Sequence, residues 1–185
     1  MPAIVAPRLS DGEISVRPFT RRDIPAIVAA CADPEISRWT RVPWPYTRED
    51  AERFLAVAAT EAAAGEGVAL AVCDAADDRL LGTIGLMEVD RQRGCAELGY
   101  WTAAPARGHG AAPRAVVLVR DWALAELGIC ELEILAHRDN VPSQRVAERA
   151  GFEDTGRLRA VARMPPGRQE GYKVYRRAGV AAGVR

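Results

Sequence analysis

The feature that most constrains the fold is a strand, a glycine-containing loop and an amphipathic helix that follow one another directly. Residues Cys95 to Thr102 have the apolar character of a buried strand, and a loop with Gly108 and Gly110 follows them. Apolar residues then recur at helical spacing from Ala112 to Leu127. The first N–H groups of such a helix lack intrahelical partners and lie at the positive end of its dipole. The segment therefore predicts a site for phosphate or pyrophosphate at the loop.

Three phosphate-binding patterns can be compared with this loop. The dinucleotide pattern G-x-G-x-x-G fails, because Pro113 stands where the next glycine is required after Gly108 and Gly110. The P-loop pattern also fails, because the loop contains no lysine. A third pyrophosphate pattern, [Q/R]-x-x-G-x-[G/A], is matched by Arg107, Gly110 and Ala112. That short match alone also fits a flexible turn before an amphipathic helix, so the sequence of the loop leaves both interpretations open.

The rest of the chain alternates strand-like and helix-like segments without an internal repeat. Predicted strands lie at Ile14–Arg17, Val68–Cys73, Leu80–Val89, Cys95–Thr102, Cys130–Ala136, Phe152–Met164 and Glu170–Arg177. Predicted helices begin at Thr20, Thr47, Ala112 and Asn140. The order β-α-α-β-β-β-α-β-α-β-β mixes hairpins with strand–helix–strand units. It predicts an α/β (α+β mixed) fold with a single mixed, mostly antiparallel sheet of about seven strands and helices on both faces.

One sheet of this kind accounts for nearly the whole chain. Residues 1–177 are therefore expected to form a single domain, and residues 178–185 a flexible C-terminal tail. Within the domain, Asp33-Pro34-Glu35 predicts a turn. The tryptophans and prolines from Trp39 to Tyr46 predict a loop or a broken helix.

The composition argues against several classes of function. Twenty-five Lys and Arg residues balance 25 Asp and Glu residues, so no net charge favours nucleic acid or an anionic membrane as partner. No apolar run approaches the roughly 20 residues of a membrane span, and Met1–Gly12 lacks the pattern of a signal peptide. Four scattered cysteines are typical of free thiols, so a cytoplasmic location is expected. The two histidines, His109 and His137, have no neighbouring ligands, so no metal site is expected.

Several further motifs, found between about Glu13 and Arg177, resemble those of one known family. They are Val16-Arg17-Pro18-Phe19-Thr20, Asp33-Pro34-Glu35, Pro45-Tyr46-Thr47, Gly82-Thr83-Ile84-Gly85-Leu86, Ala96-Glu97-Leu98-Gly99-Tyr100-Trp101 and the run from Asn140 to Phe152. Together with the loop, they resemble the GNAT superfamily of N-acetyltransferases, and more closely its ribosomal-protein N-terminal acetyltransferase-like (Rim-type) branch. The resemblance implies acetyl-CoA as cofactor and direct attack of a primary amine on its acetyl group in a ternary complex.

The resemblance also implies which residues bind coenzyme A. The backbone N–H groups expected at the pyrophosphate belong to Arg107, Gly108, His109, Gly110, Ala111 and Ala112. The Arg107 side chain is expected to add a charge-assisted contact. In the family the strand before the loop splays from its neighbour, so backbone groups of Tyr100, Trp101 and Thr102 are candidates for pairing with the pantetheine arm. Asn140 is expected to cap the fourth helix and, by the resemblance, to contact this arm.

Protonation of the departing thiolate has one candidate residue. In this branch the serine that matches Ser143 is a proposed partner of the coenzyme A sulfur, although a serine in a first helical turn is often only a helix-start residue. Many GNAT enzymes instead carry a tyrosine at the position of Ala147. This departure leaves Ser143, a water or another residue as the proton donor.

Glu97 is the first candidate for the base that deprotonates the amine. A glutamate between Ala96 and Leu98 in a central strand is expected to be partly buried, and burial raises its pKa toward a useful range. A salt bridge to a surface arginine is the structural alternative for this side chain. Glu88 and His137 are further candidates for the base.

The acceptor is the least constrained part of the prediction. Trp39, Trp44 and Tyr46 are expected to line its pocket, because this loop borders the cleft in the family, but they equally suit a plug between the first two helices. A protein or peptide N-terminal amine is the expected acceptor, since its pKa of about 7.7–8.0 leaves it partly neutral. A small-molecule amine, such as a polyamine, an amino sugar or an antibiotic, is the alternative.

Two further questions are left open by the sequence. The alanine at position 147 keeps a non-catalytic acyl-CoA-binding module as an alternative of another class. Relatives in the family often dimerise, so a homodimer is considered.

Overall fold

The computed structural model describes residues 2–165 and 167–179 and contains one central sheet of eight strands. Within these residues the strands are β1 (Leu9–Ser10), β2 (Ile14–Pro18), β3 (Val68–Asp74), β4 (Leu80–Asp90), β5 (Cys95–Thr102), β6 (Glu131–His137), β7 (Glu153–Arg159) and β8 (Tyr172–Ala178). The α-helices are α1 (Ile24–Cys31), α2 (Pro34–Trp39), α3 (Arg48–Ala64), α4 (Ala111–Glu126) and α5 (Val141–Arg149). Short 3₁₀ turns at Arg21–Asp23 and Ala104–Ala106 precede α1 and α4.

The sheet has the order β1-β2-β3-β4-β5-β6-β8-β7 and carries helices on both faces. All neighbouring strands are antiparallel except β5 and β6, which are parallel. Side chains alternate along β5, so that Leu98 and Tyr100 join the core under α4 and α5. Trp101 joins the second core, which is formed by α1, α2 and α3. The predicted mixed fold with helices on both faces is confirmed.

Two elements extend the predicted order. The short strand β1 pairs with β2 and raises the number of described strands to eight, against about seven predicted. The helix α2 occupies residues for which a turn and the start of a loop were predicted. The side chain of Asp33 accepts a hydrogen bond from the N–H of Glu35 at 3.0 Å, and Pro34 takes the first helical position. Asp-Pro suits a turn and a helix start equally, so the motif alone does not separate them.

The predicted helix starts are confirmed by their caps. Thr20 and Asp23 form a capping box at the 3₁₀ turn that leads into α1, and Thr47 and Asp50 form a second one at α3. Gly65 ends α3 in the left-handed conformation, with φ of 75°. No helix in the described part of the chain is long and apolar enough to cross a membrane.

The predicted boundary between domain and tail falls at the end of β8. This strand includes Ala178, which pairs with Glu131 of β6, and the N–H of Gly179 still bonds the carbonyl of Cys130 at 2.8 Å. Residues 180–185 lie outside the described residues, so the flexible tail stays a prediction for them.

A gap opens between the two parallel strands at the centre of the sheet. Their pairing comprises Cys95 with Glu131, Ala96 with Leu132, and Glu97 with Glu133. Beyond Glu97, β5 continues to Thr102 alongside β4, while β6 continues to His137 alongside β8. The facing edges of β5 and β6 are therefore unpaired with each other over their C-terminal halves.

Candidate active site

A cleft with a volume of about 940 Å³ occupies the gap between β5 and β6 and extends along α2 and α3. Thirteen of the predicted site residues line it: Trp39, Tyr46, Glu97, Tyr100, Trp101, Thr102, Arg107, Gly108, Gly110, Ala111, Ala112, Asn140 and Ser143. The cofactor and acceptor residues predicted separately from the sequence thus share one cavity. His109 and Trp44 do not line it.

The loop before α4 has the geometry of an anion site. Gly108 and Gly110 adopt φ of 80° and 82°, in the left-handed region that favours glycine. Gly110 is the N-cap of α4, and the first turn of this helix contains no acidic residue. A Cβ added at either glycine would meet nothing within 4 Å, so the space above the loop is open. The exposed N–H groups at the start of α4 can therefore approach a phosphate closely.

The side chain of Arg107 already has two partners. Its Nε donates to the carbonyl of Thr102 at 3.1 Å, and its Nη2 lies 2.7 Å from Oδ2 of Asp33. The N–H of Glu35 and the guanidinium of Arg107 hold the pKa of Asp33 below its ordinary value. Arg107 thereby joins the loop to the start of α2, and its predicted contact with pyrophosphate stays a prediction.

The exposed His109 stands between the two left-handed glycines, where its side chain faces solvent instead of the cleft. Only its backbone is placed near the predicted anion site. Sequence reasoning missed five arginines that line the cleft, among them Arg145 and Arg149 of α5. The spacing of four residues between these two on one helix puts them on the same face, which was the available signal.

The first turn of α5 holds the other predicted cofactor residues. Oδ1 of Asn140 accepts a hydrogen bond from the N–H of Ser143 at 3.2 Å, as predicted for an N-cap. The phenol oxygen of Tyr100 lies 2.9 Å from Oγ of Ser143 and 3.2 Å from its carbonyl oxygen. Burial raises the pKa of Tyr100 to about 12. One turn further along α5, Ala147 is fully buried in the core and offers no polar group.

Glu97 combines the two interpretations offered by the sequence. Its side chain is buried, and one oxygen, Oε1, forms an ion pair with Arg163 from the connection between β7 and β8. The other oxygen, Oε2, is buried and has no hydrogen-bond partner among residues 2–165 and 167–179. Burial raises the pKa of Glu97 above its ordinary value, and the charge of Arg163 opposes that rise. The carboxylate is thus paired with an arginine, and its pKa is nevertheless raised, as a general base requires.

The other candidates for the base lie in different surroundings. Glu88 is exposed and does not line the cleft. Its Oε1 lies 2.6 Å from Nη1 of Arg163, the other terminal nitrogen of the guanidinium. His137 lines the cleft with its ring between those of Trp39 and Tyr172, at centroid distances of 5.6 and 5.3 Å. Its Nδ1 accepts a hydrogen bond from the N–H of Asp139 at 3.2 Å.

The aromatic residues predicted for the acceptor pocket divide into two groups. Trp39 lines the cleft at the end of α2 and donates from Nε1 to Glu35 at 3.1 Å. Tyr46 both lines the cleft and packs against the core of α1 and α3, so it also has the role of a plug. Trp44 is 55% exposed and lies outside the cleft, whereas its neighbour Pro43 lines it.

Comparisons with known proteins give a family match over most of the chain. The family described as "Acetyltransferase (GNAT) domain" matches residues 13–153. The probable N-acetyltransferase YjcK of Bacillus subtilis (strain 168) is 39% identical over 83 residues, which are 44% of this chain and 46% of YjcK. The chain thus matches about half the length of that relative.

Solved structures show the same fold. RimL, a ribosomal L7/L12 alpha-N-protein acetyltransferase in complex with coenzyme A, has a TM-score of 0.80 at 16% identity, over 94% of this chain and 98% of RimL. Spermidine N-acetyltransferase from Vibrio cholerae, in complex with CoA and spermine, has a TM-score of 0.75 at 18% identity, over 91% and 96%.

The family match and the fold confirm, at the level of the family, the predictions of an acetyltransferase and of acetyl-CoA as its cosubstrate. With three quarters of its length matched and its fold shared, the chain belongs to the GNAT family of acetyltransferases.

Proposed function

We propose that this protein transfers the acetyl group of acetyl-CoA to a primary amine by direct attack within a ternary complex. The observation that carries the proposal is the single cleft lined by both the buried Glu97, where the pairing of β5 with β6 ends, and the glycine loop, which follows the C-terminal end of β5. Bound there, acetyl-CoA supplies the thioester carbonyl that an amine attacks. Holding both reactants in one cleft makes the reaction effectively intramolecular, which accelerates it strongly.

The residues of the loop fit the diphosphate of coenzyme A. The left-handed Gly108 and Gly110 leave the space above the loop open, and the first turn of α4 offers N–H groups and contains no acidic residue. The unpaired edge of β5, with the backbone of Tyr100 to Thr102, is placed to bond the amide groups of the pantetheine arm. Arg145 and Arg149 add positive charge to the same wall.

Glu97 is the group best suited to accept the proton of the amine. Its raised pKa makes it a stronger base than an exposed glutamate. Its Oε2, which has no hydrogen-bond partner in the part of the chain that the structure describes, can accept a proton from the amine directly or through one water. Ser143, which lines the cleft, is the hydroxyl that we propose for the departing thiolate. Ala147 has no group for that step.

A protein or peptide N-terminal amine is the acceptor we propose first. The wall of the cleft beyond Glu97 includes apolar and aromatic surface from Trp39, Tyr46 and Phe54, which suits the first side chains of a peptide. The lining of the cleft contains four acidic side chains and six arginines. Glu35 pairs with Arg38, and Asp50 pairs with Arg53.

The excess of arginines on the lining disfavours a polycation such as spermidine, the substrate in the name of one relative. RimL, named for a protein α-amine, favours the peptide. A small amine remains the second candidate, because one relative that shares the fold is named for such a substrate. The homodimer and the cytoplasmic location stay predictions.

An acceptor panel tests this proposal. Release of free thiol from acetyl-CoA is measured with peptides that carry a free α-amine, with the same peptides blocked at the N-terminus, and with spermidine and amino sugars. We expect thiol release with free peptides only, and mass spectrometry should place the acetyl group on the α-nitrogen. Activity on small amines alone would overturn the peptide assignment. Binding of acetyl-CoA without thiol release from any amine would favour the non-catalytic module.

Arg163→Ala should move the acidic limb of the pH–rate profile to higher pH. Glu97 can accept a proton only when it is ionised, so this limb follows its pKa. The positive charge of Arg163 lowers that pKa, and its removal leaves the effect of burial unopposed. Arg163→Lys, which keeps the charge, should move the limb less. A limb that stays in place or moves to lower pH in Arg163→Ala would exclude Glu97 as the base.

A further inference from the structure

The phenol of Tyr100 contacts the hydroxyl of Ser143, which we propose as the partner of the thiolate. Tyr100 lies on β5 and Ser143 lies on α5, on the far side of the gap, yet their side-chain oxygens are 2.9 Å apart. Both residues line the cleft. From the sequence, only the backbone of Tyr100 was predicted to take part in the site. The side chain of Tyr100 therefore makes a contact that has no role in the proposed function described above.

The donors and acceptors of this pair allow two arrangements. If Tyr100 donates to the carbonyl of Ser143, at 3.2 Å, the serine hydroxyl can donate back to the phenol oxygen and its hydrogen is used within the protein. If Tyr100 donates to Oγ, the serine hydrogen is free to point into the cleft. A negative sulfur in the cleft favours the second arrangement, because hydrogen bonds in a chain polarise and strengthen one another.

We propose that Tyr100 is a positioning residue that fixes the hydroxyl of Ser143 as a hydrogen-bond donor to the sulfur of coenzyme A. This inference rests on the proposed function, since it requires coenzyme A in the cleft. The phenol stays protonated throughout the range in which a thiol titrates, because burial raises its pKa to about 12. Ala147 has no polar side chain. The pair of Tyr100 on β5 and Ser143 on α5 provides a polar group for the sulfur instead.

The pKa of the coenzyme A thiol in its complex with the protein tests the proposal without an acceptor. Thiolate absorbance is titrated against pH for the wild type, Tyr100→Phe, Ser143→Ala and the double variant. A hydrogen bond to the thiolate lowers the thiol pKa, so each single variant should raise it, by about one unit. The double variant should raise it no further than either single one, because both changes remove the same hydrogen bond.

Tyr175→Phe is the matched control. Tyr175 is a fully buried tyrosine on β8 in the same core, and it does not line the cleft. Its loss should leave the thiol pKa unchanged. Fluorotyrosine at position 100 is nearly isosteric and a stronger donor, so it should lower the thiol pKa below that of the wild type and keeps the test available if Tyr100→Phe folds poorly.

Each of the other possible results contradicts a specific part of the proposal. If Ser143→Ala shifts the thiol pKa while Tyr100→Phe and fluorotyrosine do not, Tyr100 is only a packing residue. If neither single variant shifts it, the serine does not contact the sulfur and the inference fails, although acetyl transfer can still occur. Failure of coenzyme A to bind the wild type in calorimetry would instead overturn the proposed function itself, and the inference with it.

Discussion

Gly110→Asp should weaken the binding of acetyl-CoA by about 100-fold or more. The substitution places a carboxylate at the N-cap of α4, in the open space where the diphosphate is proposed to lie. Two like charges about 4 Å apart repel by about 4 kcal/mol at an effective dielectric constant near 20, which is ample for a loss of this size. Isothermal titration calorimetry with acetyl-CoA measures the change directly.

Gly110→Asn separates charge from backbone strain. Asparagine and aspartate have nearly the same shape, and both tolerate the left-handed conformation that Gly110 adopts at φ of 82°. Gly110→Asn should therefore keep most of the affinity, and both variants should melt at similar temperatures. Equal affinities for the two variants would show that no phosphate lies at the start of α4.

Glu97→Gln should lower kcat/KM by about 10²- to 10⁴-fold, the usual contribution of a general base. The amide keeps the shape of the side chain and can still accept a hydrogen bond from Arg163, but it cannot take a proton from the amine. The acidic limb of the pH–rate profile should disappear with it. Affinity for acetyl-CoA should change little, because the proposed phosphate site lies beyond the C-terminal end of β5, while Glu97 lies near its start.

Glu88→Gln provides the comparison for this variant. Glu88 binds the same arginine, Arg163, but it is exposed and lies outside the cleft. Its replacement should leave kcat/KM within a few-fold of the wild type. Glu97→Gln with full activity and an unchanged acidic limb would exclude Glu97 as the base, and His137 would then be the next candidate to test.

Local patterns in the sequence predicted most of the fold. Capping boxes at Thr20 and Thr47 act within one helical turn, so they can be recognised without knowledge of tertiary contacts. The loop around Gly108 and Gly110 is equally local, because positive φ and an exposed helix start are properties of neighbouring residues. The burial of Glu97 could also be predicted from its apolar neighbours.

The contacts that complete the site join residues far apart in the chain. Arg163 reaches Glu97 across 66 positions, and Tyr100 reaches Ser143 across 43. No periodicity or spacing encodes such pairs, so the resemblance to a family could name the glutamate and the serine but not their partners. Trp44 was predicted to line the cleft with its aromatic neighbours. In the structure Trp44 lies outside the cleft and Tyr46 lines it, because side chains close together in a loop can point in different directions.

The gap between β5 and β6 has a consequence for how the protein persists in a cell. Two blocks of the sheet are joined through three residue pairs, and beyond Glu97 each central strand keeps an interior edge without a neighbour. A ligand that bonds to such an edge only in the native state stabilises that state by an amount that grows with the logarithm of its concentration, and reaches about 2.7 kcal/mol at 100 times its Kd. Resistance to proteolysis and heat is then linked to metabolism, because it rises and falls with the supply of acetyl-CoA.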